Sequence, residues 1–203
     1  MIYRFAFALI ASAFTMTLSP TIHAQSPQRN KIATTPPVGL EWMPMEMVSF
    51  NYGSIPVPTA SRAATNLART IWTKEINSTP IDERDGTLLP SFILVGVVSA
   101  NGVQYTLSIF SAANARGCIP AANGRGIEDL YKTCPMRVDV YKSGKNYAQE
   151  FSGFCHIFPY PPEYKNDINR AEYSFDEKNM TVYFRVIQHG KKIRECDRAL
   201  SLR

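Results

Sequence analysis

Few residues of this chain offer chemistry by type and spacing. They are His156 and His189, the four cysteines, the methionines at 43, 45 and 47, and the acidic run Asp82-Glu83-Arg84-Asp85. His156 follows Cys155, which suggests a Cys–His dyad. In an extended strand, however, neighbouring side chains leave on opposite faces and cannot meet. His189 precedes Gly190 in a turn-like stretch, where an imidazole is solvated. A Ser-His-Asp constellation assembles across a fold and leaves no local trace. The motifs that do leave one, Gly-x-Ser-x-Gly, His-Glu-x-x-His and a Walker loop, do not occur here. Gly124-Arg125-Gly126 is followed by no Lys-Ser/Thr, so it is no phosphate loop. Asp82 and Asp85 are out of step with the alternating ligands of a calcium loop and read as a polar turn. Met43, Met45 and Met47 alternate, which places them on one face of a strand. A soft metal could use such a face, but packing against the core is the expectation. No cofactor and no metal is expected. Two carboxylates suffice for a glycosidase. A small extracytoplasmic hydrolase acting on glycan or peptide, using Glu128, Asp129 or Glu172, is therefore the alternative to a binding role.

The cysteines speak for a compartment. Residues 1–24 have the form of a secretory signal: Arg4, an apolar run from Phe5 to Leu18, and a small residue, Ala24, at the expected cleavage point. Cys118, Cys134, Cys155 and Cys196 all follow it. An even number of cysteines in an exported chain predicts disulfides. Of the three possible pairings, Cys118–Cys134 with Cys155–Cys196 is favoured, and the lack of any Cys-x-x-Cys pair argues against zinc or redox chemistry. The net charge of +5 is mild and scattered. It argues against nucleic acid and is compatible with an exported protein. Contact with a membrane is expected only through the export signal. The localisation expected is periplasmic or extracellular.

These residues must be positioned by a fold, and its clearest element is a hairpin. Ser91–Ala100 is apolar on both faces, Asn101-Gly102 is the strongest short signal for a type I′ turn, and Val103–Phe110 alternates. Val103, Tyr105, Leu107 and Ile109 share one face; Gln104, Thr106 and Ser108 share the other. The first arm is expected at the centre of a sheet and the second half-buried. Residues 59–77 carry Ala64, Leu67, Ala68, Ile71 and Trp72 on one helical stripe, with Thr59 or Ser61 as cap and Ser78-Thr79-Pro80 as stop. Leu40–Tyr52 reads as one or two short strands broken at Pro44. Met136–Lys142 alternates, Ser143-Gly144 turns the chain into 146–158, and 171–176, 181–188 and 192–202 read as three further strands.

The fold class expected is α+β: one main amphipathic helix on a mostly antiparallel meander sheet of about six to eight strands, stapled by disulfides. Residues 25–37 form a polar tether and 38–203 a single domain. The surfaces best suited to a partner are the irregular loop carrying Arg116 and Arg125, and the stiff segment Phe158-Pro-Tyr-Pro-Pro-Glu-Tyr with Tyr160 and Tyr164. The function expected is an exported, non-catalytic binding or assembly domain. An accessory subunit of an envelope or secretion assembly, or an inhibitor of an extracytoplasmic enzyme, would fit. Its partner would be another extracytoplasmic protein.

Overall fold

The computed structural model describes residues 36–51, 60–113, 115–121, 131–157 and 169–203. The expected signal and all of the tether but its last two residues lie outside them. So do Arg125, Tyr160 and Tyr164. Among the described residues the chain forms one helix and ten strands in two antiparallel sheets.

The four-stranded sheet runs β1 (Met43–Pro44), β8 (Arg170–Asp176), β9 (Thr181–Gln188), β10 (Lys191–Ser201). The other runs β2 (Glu46–Phe50), β3 (Ser91–Ala100), β4 (Val103–Ala112), β6 (Tyr131–Lys142), with β5 (Ile119–Pro120) and β7 (Lys145–Ile157) also on β6. The single sheet expected from the meander is thus two. The reason is visible at Pro44. β1 pairs with β8 and β2 with β3, and between them the Met45 N–H donates to the Ala171 carbonyl at 2.9 Å. One short extended segment passes from one sheet to the other, as strands do at sandwich corners.

The faces follow the alternation. Leu94, Val98, Tyr105, Leu107, Ile109, Met136 and Val138 point inward onto Tyr173, Val182, Phe184, Val186 and Leu200 of the smaller sheet. Met45 is buried in this core and Met43 and Met47 pack on it, so the methionine face is a packing face. Tyr173 crosses between the sheets. Its ring lies over Gly96, and its hydroxyl donates to the Val97 carbonyl at 3.1 Å and accepts from the Val97 N–H at 3.3 Å.

The opposite face of the larger sheet is covered by α1 (Arg62–Asn77). Ser61 caps it, its hydroxyl accepting from the Ala64 N–H at 3.1 Å, and the Ser78 N–H closes its last turn onto Lys74 and Glu75 carbonyls. Ala64, Ala68, Trp72 and Ile76 are buried against Val48, Ile93, Val95 and Phe110. The second arm of the hairpin, Thr106 and Ser108 included, is buried on both faces, not half-buried as its alternation suggests. β3 lies between β2 and β4, as its two apolar faces require.

Type I′ geometry recurs at Asn101-Gly102, Ser143-Gly144 and His189-Gly190, each pair at positive φ. Two bulges shape the outer strands. β7 carries one extra residue opposite Cys134–Met136, where Gly153 takes φ +87° and Pro135 needs no ladder donor. β10 carries a larger one between Ile193 and Arg198 that turns Cys196 into the core. From there it bonds Cys155 of β7 and ties the sheets together, while Cys118–Cys134 ties the segment after β4 to β6. No helix among the described residues is long and apolar enough to cross a membrane.

Candidate functional site

A cross-strand row borders a candidate site among the described residues. Ser108 of β4, Arg137 of β6 and Glu150 of β7 stand side by side on the outer face of the larger sheet. The helix covers only the first member. Trp72 sits over it and donates from Nε1 to the Ser108 hydroxyl at 3.0 Å, and that hydroxyl lies 3.4 Å from the Arg137 carbonyl. The indole stacks on Phe110 with ring centroids 5.2 Å apart, and the Arg137 guanidinium lies 5.6 Å from the indole centroid. Trp72 departs from helical backbone geometry (φ −114°, ψ 19°) and kinks the helix, while Ile76 in the last turn stays packed on the sheet.

A cleft of about 510 Å³ runs between the helix end (Lys74, Glu75, Ser78), the aromatic floor (Trp72, Phe110), the turn at Ala115–Arg116, and Pro135 and Glu150. The turn is fixed locally. The Cys118 N–H donates to the Ala115 carbonyl at 3.4 Å, and the Cys118–Cys134 bond holds the turn to β6. Gly117 has φ +80°, and a Cβ there would lie 2.9 Å from the Pro135 ring. Only glycine fits that approach. The rim carries both signs, Lys74 and Arg116 against Glu75 and Glu150. Arg137 is engaged by Asp139 through two bonds of 3.0 and 3.2 Å.

Of the four binding residues expected from the sequence, Arg116 is the one described, and it stands exposed on this rim. Sequence pattern places Trp72 on the helix stripe and Phe110 on a strand, and it does not single out Glu150 or Pro135. No local signal marks these four as a site. Their convergence follows from the strand register and from where the helix lies on the sheet.

The other candidates are spent on structure. Cys155 is bonded to Cys196 and has no thiol to offer His156. His156 is fully buried, and burial pushes its pKa down to about 3, so it is neutral at pH 7. The His189 backbone N–H donates to Asn169 Oδ1 at 2.7 Å in its exposed turn. Glu172 accepts from Arg170 and Arg185 at 2.5 Å each, and Arg185 stacks on Trp42 at 4.0 Å. Burial alone would raise the Glu172 pKa, but the two guanidiniums outweigh it and the net shift is downward. An anion so held is an acceptor, not a proton donor. In the acidic run, the Arg84 side chain holds Asp82 down to about 2, and Asp85 caps the Thr87 N–H at 2.9 Å. Among the described residues no three His, Cys, Asp or Glu converge as metal ligands. Glu128 and Asp129 lie outside the described residues.

No family profile, no curated protein and no solved structure matches this chain, so the functional reading rests on the geometry of the cleft.

Proposed function

We propose that this chain is an exported, non-catalytic binding domain that takes a segment of another extracytoplasmic protein into the cleft beside Arg116. The observation that carries this reading is the cleft itself: concave, floored by a stacked Trp72–Phe110 pair, rimmed by charges of both signs, and walled on one side by a disulfide-stapled turn. Its volume is within the range of ligand sites, about 300–1,000 Å³. An apolar anchor side chain would fill the floor, and flanking charges would set its orientation. Arginine and aromatic residues dominate such contacts energetically. The two disulfides support an oxidising compartment, and the form of residues 1–24 supports export as the route. An accessory subunit of an envelope assembly or an inhibitor of an extracytoplasmic enzyme would work through such a surface.

The test is a photo-crosslinker placed at position 116 and, as control, at the distant exposed position 178, in the full chain in its native envelope. The expected result is one crosslinked protein from position 116 and none from 178, with Arg116→Glu abolishing capture at unchanged thermal stability. Equal yields from the two positions, or capture indifferent to Arg116→Glu, would reject the cleft.

A further inference from the structure

The larger sheet ends on a strand whose outer edge stands open. Lys145–Glu150 of β7 are all exposed, including Ala148, and Tyr147 is 58% exposed. Their register with β6 is unbroken from Lys142↔Lys145 to Arg137↔Glu150. The bulge of β7 lies beyond this run, between Phe151 and Phe154, whereas the larger bulge of β10, the outer strand of the smaller sheet, interrupts the middle of that strand between Ile193 and Arg198. Bulges blunt an edge; a straight exposed run is a template for another strand.

The turn chemistry says which groups face outward. A two-residue type I′ loop makes its flanking pair, Lys142 and Lys145, a hydrogen-bonded pair. Bonding then alternates, so Lys145, Tyr147 and Gln149 spend their backbone groups on β6. Asn146, Ala148 and Glu150 direct their N–H and C=O groups away from the sheet. An antiparallel partner strand must meet these three with its own outward set. For a second copy of the same strand, that condition puts the two-fold axis through a residue and not between two. Ala148 is the outward residue with one outward neighbour on each side within the exposed run, and it has the smallest side chain at the point of closest approach. With Ala148 on the axis, Asn146 of one copy faces Glu150 of the other, an amide donor against a carboxylate. The segment carries one positive and one negative charge, Lys145 and Glu150, and antiparallel pairing brings the positive end of each copy toward the negative end of the other.

We infer that β7 self-associates edge to edge in an isologous dimer centred on Ala148, joining the two larger sheets into one continuous sheet. Six residues a side are far fewer than the roughly 20–30 of a standard interface, so the dimer is weak and forms with rising concentration. Its seam reaches Glu150, which also lines the cleft, but the proposed cleft function does not require the dimer.

Sedimentation velocity of the full oxidised protein from about 10 µM to about 1 mM, the range of a small interface, reads the association. Ala148→Pro removes both central bonds at once, because the residue pairs with its own copy, and leaves the β6–β7 ladder intact because its N–H takes no part in it. The dissociation constant should rise at least tenfold with Ala148→Pro. It should rise similarly with Ala148→Lys, which keeps the N–H and sets two like charges on the axis. Ala148→Cys should form an interchain disulfide under mild oxidation, since paired Cα atoms at such a position are about 5.5 Å apart. A protein monomeric throughout the range would overturn the inference. So would a dimer that ignores Ala148→Lys, or one in which Tyr147→Cys crosslinks and Ala148→Cys does not.

Discussion

The contact between Gly96 and Tyr173 makes a quantitative prediction about what holds the two sheets in register. A Cβ on Gly96 would lie 2.8 Å from Cε1 of Tyr173, 3.1 Å from Cδ1 and 3.2 Å from Cζ. Ordinary carbon contacts fall near 3.5–4.0 Å, so Gly96→Ala creates an overlap of roughly 0.7 Å. The ring cannot swing aside freely, because its hydroxyl is held by both backbone groups of Val97. Overpacking of this kind costs about 1–3 kcal/mol. The φ of Gly96 is not in the left-handed region, so alanine also restricts the unfolded chain and returns about 0.4–1 kcal/mol. The net loss expected in the wild-type background is about 1–2 kcal/mol. In a Tyr173→Ala background the overlap is gone, and the same Gly96→Ala change should stabilise by about 0.5 kcal/mol. The coupling read from the double-mutant cycle is then about 2 kcal/mol, well above the additivity error of distant sites. Urea unfolding of the four proteins, followed by far-UV circular dichroism with disulfides intact, measures it. If Gly96→Ala costs the same with and without the ring, the glycine is not there to admit Tyr173, and the account of sheet register fails.

The charge and disulfide arrangements predict further outcomes. Burial disfavours the Glu172 anion, but Arg170 and Arg185 hold its pKa below the ordinary value. The folded protein therefore binds fewer protons than the unfolded one in the acid range. Its contribution is present above an unfolded pKa of about 4.3 and is lost as pH falls through the lower folded value. Glu172→Gln should flatten that limb of the stability curve and cost about 1–2 kcal/mol at pH 7, a figure reduced for the partial exposure of both arginines. Urea midpoints from pH 7 to pH 3 check this, and an unchanged slope would count against the triad. Opening Cys155–Cys196 with paired alanines releases a loop spanning 41 residues and should cost about 4 kcal/mol, or roughly 10 °C in Tm. Opening Cys118–Cys134, a span of 16, should cost about 3 kcal/mol. Calorimetry that ranks the two in the opposite order would show that inter-sheet stapling is not the larger effect.

Much of the fold is legible in the sequence because it is written in local chemistry. Asn101-Gly102, Ser143-Gly144 and His189-Gly190 each ask for positive φ and receive it, and the helix starts at Ser61 and stops at Ser78 as its caps dictate. The division into two sheets is not legible. The periodicity of two says that Val182 and Leu107 each point to a buried face, but it is blind to whether those faces belong to one sheet or to two that oppose each other. The same blindness hides the burial of Ser108. Its polar side chain marks a solvent face by alternation, and only the arrival of Trp72 from 36 residues away, with an N–H to satisfy, makes a hydroxyl the right residue there. Arg116 stands out for its irregular surroundings and does line the cleft, yet its companions Phe110 and Glu150 carry no mark of their own.

The site and the fold share a cause. A helix of 16 residues spans about 24 Å and lies over β2, β3 and β4, so it does not extend across β6 and β7. The outer-face residues of these strands are polar: Arg137, paired with the buried Asp139, and the exposed Asn146 and Glu150. At the boundary between covered and uncovered sheet, the apolar stripe ends in Trp72 and Phe110, while the polar row begins at Ser108 and Arg137. A cleft with an aromatic floor and a charged rim is what such a boundary produces where the helix ends at the sheet's midline, its last turn held down by Ile76. The Cys118–Cys134 bond then fixes the third wall by holding the Arg116 turn against Pro135. A rigid concave surface of mixed polarity results from how far one helix reaches across one sheet, with the disulfide keeping the turn from collapsing into the space.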